Sequence, residues 1–300
     1  MPSSLILQIG RGIWYMDKRY AQAYRPIVAQ ILSGQAPDLS ALKYRNAFEE
    51  GSEEESMKKK AQFFVSSSTP FLHSTFSRID DAPRGSVAIT FLQGVVMKND
   101  YCEAPGTKSL TNMMREADSN ENIIGHILYV DSPGGSADGT MDFSESIKSL
   151  NKPVVAFVDG LMASAAYWAG SSAKHIMANN SLAEIGSIGT YITLTDWSGY
   201  DEKMGIKEIS IYATKSTEKN IEYREALKGN EGPMKASIDV FNEVFLKAVT
   251  KNRFGKGLDK EATLKGQLLF AEDAIKAGLI DSIGSFSDAV KLVTKLTKSK

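Results

Sequence analysis

Between residues 86 and 180 the chain alternates apolar runs of strand length with stretches of helical composition. The runs are SVAITFLQGVV (86–96), IIGHILYV (123–130), KPVVAFVDG (152–160) and HIMANN (175–180). IIGHILYV and the VVAFV within the third run lack the apolar–polar alternation of a half-exposed strand, so both of their faces must be covered. Between them lie an amphipathic stretch around Leu110–Ala117, then ADGTMDFSESIKSL (137–150), then SAAYWAGSSA (164–173), all suited to helices. Strands separated by helices of this length imply βαβ units with right-handed crossovers and a mainly parallel core. The expected fold class is therefore α/β, with residues 86–300 forming the main domain.

The first 85 residues differ in texture. Tyr20, Tyr24, Ile27, Val28, Ile31 and Leu32 recur at helical spacing, which predicts an amphipathic helix over 15–32 that docks on the main domain or on another copy. EEGSEEESMKKK (49–60) has blocks of acid and base with no apolar face and reads as a solvated linker. SSSTP (66–70) and DDAPRG (80–85) punctuate the approach to the first confident strand. Residues 1–85 are thus expected to be a helical extension and an assembly element.

Charge and cysteine content narrow the function. With 35 basic and 36 acidic residues the net charge is −1, so no global field draws the chain to nucleic acid or to an anionic membrane. The single cysteine, Cys102, can form neither an internal disulfide nor a cysteine-cluster zinc site, which suits a reducing, cytoplasmic setting. The N-terminal apolar stretch has no basic residue before it and is broken by Gln8 and Arg11, a poor signal peptide. The most apolar later stretch, 154–170, contains Asp159 and two glycines and falls short of the roughly 20 apolar residues of a bilayer helix. No membrane anchor is expected.

Two turns carry the chemistry. In DSPGGS (131–136), Pro133 fixes one φ while Gly134 and Gly135 permit a close backbone approach, and free amides there can form an anion nest. This turn follows the carboxyl end of a buried strand, where open α/β sheets place ligands. In DGLMASAAYWAG (159–170) a strand passes into a helix at Ala163-Ser164-Ala165, which exposes the Ser164 hydroxyl among small neighbours. A serine there suits a nucleophile, and it equally suits a plain helix cap. Asp131, Asp138 and Asp142 lack the glycine and bidentate glutamate of a calcium loop and read as turn and helix-start residues, so no metal and no cofactor are expected. Trp168, Trp197 and Tyr191 read as packing residues.

The order DSPGG, KPVVAFVDGLMASAAYWAG, IGSIGTYITLTDW, KMGIKEISIYATKSTEKN and GQLLFAEDAIKAGLIDSIGS resembles the signal peptide peptidase A family, peptidase family S49, in the wider Clp and crotonase superfamily. The resemblance runs from about Ser86 to Val290. It implies a Clp/crotonase-like spiral of βαβ units and endopeptidase activity on peptides or proteins through a serine and a lysine. Carried over by position, Ser164 is the nucleophile, and the oxyanion amides are those of the Gly134-Gly135 turn and Ala165. The family usually has two glycines after the serine, where Ala165 and Ala166 stand here, and alanine disfavours a positive φ.

A serine needs a base, and a lysine serves only if burial or nearby positive charge depresses its pKa from about 10.4. His73 falls in the N-terminal part, His126 inside a buried strand and His175 beside Lys174, none where a Clp-type triad would need it. The resemblance puts the lysine in IYATKSTEKNIEY, where Lys219 aligns best and Lys215 is the reserve, with Ser187 of the GSIG turn as a supporting partner. Lacking an anchor, the chain resembles the peptidases encoded among phage head genes, which implies a homo-oligomer acting on capsid or scaffold proteins within a prohead. Two rivals are a crotonase-type acyl-CoA enzyme and a catalytically silent scaffold of the same fold.

Overall fold

The computed structural model describes residues 13–16, 62–66, 75–76, 78–101, 104–194 and 196–299. Three long parallel strands form its centre: β4 (Ser86–Val96), β5 (Ile123–Ser136) and β6 (Val154–Ala163). Helix α1 (Thr107–Ser119) links β4 to β5, and α2 (Thr140–Lys148) links β5 to β6. Beyond β6 the sheet forks. The first half of β6 pairs in parallel with β7 (His175–Ala178), while residues 161–163 pair with β8 (Glu184–Gly186). Further along the chain come β9 (Tyr191–Ile192), β10 (Leu268–Phe270) and β11 (Ser282–Ile283), and β11 joins β7 in parallel.

The continuous apolar runs follow from helices on both faces. Val87, Ile89, Ile127, Val155 and Phe157 point to one side, against Ala289, Val290 and Val293 of α9 (Phe286–Lys298). Leu92, Leu128, Val130, Ala156, Val158 and Met162 point to the other, where α1, α2, α3 (Ala165–Gly170) and the inner face of α6 (Gly232–Asn252) complete the main core. Burying each of the Val, Leu, Ile, Phe and Met side chains stabilises the fold by about 1.5–3 kcal/mol. A buried Arg253 ties the layers at one edge, donating to both carboxylate oxygens of Asp281 at 3.1 Å and to the carbonyl of Gly278 at 2.8 Å. The mainly parallel α/β sheet is as the sequence predicts.

Two expectations need correction. Of the stretch 1–85, the described residues are not helical apart from one 3-10 turn at Ile79–Asp81; they are strands β1 (Ile13–Met16), β2 (Gln62–Ser66) and β3 (Thr75–Phe76), all hydrogen-bonded into the same sheet. Tyr15 and Met16 thus begin no helix, and the remainder of the helix expected to Leu32 lies outside the described residues, as do His73, Cys102 and the 49–60 charge block. The second correction concerns DSPGGS. β5 does not end before it but runs through to Ser136, with register shifts against both neighbours near Pro133, the kind of irregularity that lets a proline stay in a sheet.

Candidate active site

Ser164 follows the last residue of β6 and precedes the first of α3, with φ 54° and ψ −118°. A positive φ on a residue with a Cβ costs on the order of 1–3 kcal/mol and persists where the surroundings enforce it. Here they do. Its amide donates to the carbonyl of Gly186 at 2.8 Å and its carbonyl accepts from the amide of Trp168 at 2.9 Å, while Ala163, Ala165 and Ala166 are fully buried around it. The hydroxyl makes no side-chain cap bond, and Oγ, on a residue only 1% exposed, has no hydrogen-bond partner among the described residues. The strain that glycines after the serine would accommodate sits on Ser164 itself, and Ala165 is an ordinary helical residue whose amide, in the first turn, has no intrahelical acceptor.

The glycine turn is built from the other side. Gly134 has φ 91°, and a Cβ on Gly135 would lie 1.9 Å from the carbonyl oxygen of Val96, so each glycine is required for a different reason. Four contacts, from three side chains, pin the turn. Ser132 Oγ donates to the Gly94 carbonyl at 2.6 Å and accepts from the Gly134 amide at 3.2 Å, Thr140 Oγ1 donates to the Ser136 carbonyl at 2.8 Å, and Lys98 Nζ meets Asp138 Oδ1 at 2.8 Å. Ser132 pairs with Met162, which brings the turn alongside the approach to Ser164. Ser132 lies within DSPGGS, but Thr140 and Lys98 carry no motif signal of their own, and only their contacts reveal them. Asp142 lies in the first turn of α2, and Asp138 is the lysine's partner, as turn and helix-start residues should be. Asp131 faces the opposite side of the sheet, where burial and then the charge of Asp159 push its carboxyl above the usual range.

Ser187 is joined to Ser164 through one residue: Gly186 accepts from the Ser164 amide, and Ser187, itself at φ 51°, donates its amide to Gln267 at 2.7 Å. The two lysines are elsewhere. Lys215 and Lys219 are exposed, in a stretch from 206 to 220 without regular structure, and since Ser164 Oγ has no partner neither reaches it here. No strand or helix forms at 206–213, and Met204, Ile206, Ile209 and Ile211 stand in solvent, Ile211 at 91%. Trp197 is half-exposed and packs edge-on to Tyr200, whereas Trp168 is buried against Phe245.

The described histidines are at the wrong end of the sheet. His126 pairs in register with Val154 and His175 with Val155, at the start of β6 and ten and nine residues before Ser164, which at strand rise is about 30 Å. His126 is fully buried and bonded to Asp118 at 3.2 Å; His175 is bonded to Ser282 at 2.8 Å, and burial holds its pKa down. Neither can serve Ser164.

The model of peptidase family S49 matches residues 146–300, more than half of the chain and inclusive of Ser164, Ser187, Lys215 and Lys219. The chain belongs to peptidase family S49. Among curated S49-like relatives, a Methanocaldococcus jannaschii protein is 31% identical over 62% of this chain and 60% of its own length. Protease 4 of Haemophilus influenzae is 25% identical over 71% of this chain and 35% of its own. Capsid assembly protease C of Escherichia phage lambda is 22% identical over 71% of this chain and 52% of its own. The S49 chain thus spans between about a third and three fifths of these relatives' lengths. A solved enoyl-CoA hydratase/isomerase family member overlays 74% of the chain with a TM-score of 0.42 at 18% identity, too loose a likeness to speak to chemistry. Among the described residues no helix is long and apolar enough to cross a membrane.

Proposed function

We propose that this chain is a serine endopeptidase that cleaves peptide bonds through Ser164 and a lysine, Lys219 with Lys215 as the alternative. The observation that carries the reading is a strained serine whose buried hydroxyl bonds to nothing, at a strand-to-helix turn beside a glycine-rich strand. A structural serine would cap the helix or relax. In the reaction the neutral lysine amine takes the Ser164 proton as Oγ attacks the scissile carbonyl carbon, and the amides of the Gly134-Gly135 turn and Ala165 hold the resulting oxyanion. Collapse breaks the C–N bond, the lysine returns its proton to the leaving amine, and water then hydrolyses the acyl-enzyme by the same route.

The exposed lysines call for a second element. An exposed apolar stretch of this kind on a monomer marks an interaction site, and we read Met204, Ile206, Ile209 and Ile211 as the contact that a homo-oligomer covers. Ordering this segment is what would carry Lys215 and Lys219 towards a serine. The lambda relative's name, capsid assembly protease, supports a capsid or scaffold protein as substrate and a phage prohead as the setting. A fluorophosphonate probe tests the core of the reading: it should label Ser164 in the intact protein and nothing in Ser164→Ala. An unlabelled but folded protein would remove the peptidase assignment.

A further inference from the structure

Strand β1 sits in an unusual place. It pairs antiparallel with the glycine-rich end of β5, Trp14 opposite Ser136, Tyr15 opposite Gly135 and Met16 opposite Gly134. On its other side Ile13 and Trp14 pair antiparallel with Ile192 and Tyr191 of β9. Among the described strands β9 pairs with β1 alone, and the far edge of β5 is already taken by Val95 and Val96 of β4. Without β1, residues 134–136 and 191–192 would face each other across a slot one strand wide, about 10 Å between the flanking backbones. Both walls would then present unpaired amides and carbonyls. One wall is the oxyanion turn, and the other follows Ser187, whose neighbour Gly186 holds the Ser164 amide.

A slot with backbone donors and acceptors on both walls recognises an extended peptide by strand addition, whatever its side chains. We propose that this slot is the site for an extended peptide and that the chain's own Ile13–Met16 fills it as an intrasteric strand, so a peptide substrate enters only when β1 leaves. This rests on the peptidase reading for its purpose, though not for its geometry. The register supports it: β1 runs to Gly134, so its carboxyl end lies at the turn assigned to the oxyanion.

The test uses the full chain carrying Ser164→Ala, which removes turnover from the measurement. Trp14→Pro with Tyr15→Pro deletes two consecutive amide donors, one facing each wall, and fixes φ away from strand values. The probe is a dye-labelled peptide of the sequence of residues 11–18, followed by fluorescence anisotropy. The proline variant should bind it at least tenfold more tightly than the unmodified strand does, and hydrogen exchange at 134–136 and 191–192 should quicken in the variant without peptide. Equal affinity, or unchanged exchange, overturns the proposal. Should the proline variant fail to fold, excess peptide added to the Ser164→Ala chain should speed exchange at residues 13–16, and no such change overturns it equally. Fluorophosphonate labelling of the proline variant with Ser164 restored separates the two readings: peptide binding without labelling would sink the peptidase and keep the slot.

Discussion

Ser164 should cost the protein stability, and the cost can be measured. Its Oγ is buried without a partner, and a buried hydroxyl left unsatisfied loses about 1–3 kcal/mol of hydration that nothing returns. Ser164→Ala removes that oxygen and leaves the backbone bonds to Gly186 and Trp168 in place. The variant should therefore be more stable by about 1–2 kcal/mol, a rise in Tm of roughly 1.5–3 °C for a chain of this size. Ser164→Gly also relieves the positive φ, worth on the order of 1–3 kcal/mol, against about 0.5–1 kcal/mol of added chain entropy. Differential scanning calorimetry read beside peptide hydrolysis gives the answer: turnover should fall to background, by as much as about a millionfold, while Tm rises. A Tm that falls in Ser164→Ala would show that the hydroxyl has a stabilising partner in solution, and the case for a held-ready nucleophile would lose its main observation.

Three further outcomes follow. Lys219→Met should reduce hydrolysis by several orders of magnitude and Lys215→Met should do little; the reverse result transfers the base to Lys215, and two active variants end the Ser-Lys mechanism. Ile209→Asp with Ile211→Asp should lower the sedimenting mass of the assembly, and an unchanged mass in analytical ultracentrifugation would remove the 204–211 segment as its contact. Acid stability should depend on Asp118: burial works against its charge, but bonds from His126 and from the amides of Asn151 and Lys152 hold its pKa well below the usual range. A pKa lowered on folding adds stability above the unfolded value, near 4, and that stability is lost as pH falls further. Asp118→Asn should accordingly flatten the acid limb of a urea-melt series, and an unaltered limb would refute the link.

The sequence reveals most where one kind of contact governs a segment. IIGHILYV and VVAFV are covered on both faces, so burial alone writes their continuous apolar pattern, and both strands fall where that pattern puts them. The strand-to-helix turn at Ser164 was equally legible, because small residues on either side of a serine are needed wherever a backbone bends that tightly. What the segment could not say was whether the serine caps its helix. That depends on where Oγ points, which follows from a backbone held by the Ser164 amide donating to Gly186 and the Trp168 amide donating to the Ser164 carbonyl.

Long-range pairing is the harder case. DSPGGS has the composition of a turn, and its neighbours in the chain give no reason to keep it in a strand; it stays there because Val95 and Val96 hydrogen-bond to it from β4 and Tyr15 and Met16 from β1. The same holds for IWYM and QFFVS, short aromatic runs whose β character shows only once partners at 134–136 and 86–90 are known. The segment bearing Lys215 and Lys219 takes this one step further. KEISIYA alternates as a strand should, yet no described strand pairs with it, and Ile209 and Ile211 face solvent. An alternating apolar pattern records a surface that is covered in the working protein. If that cover is a second copy, the base is positioned by a contact that neither the sequence nor a single folded chain contains, and only the assembled protein would bring a lysine to Ser164.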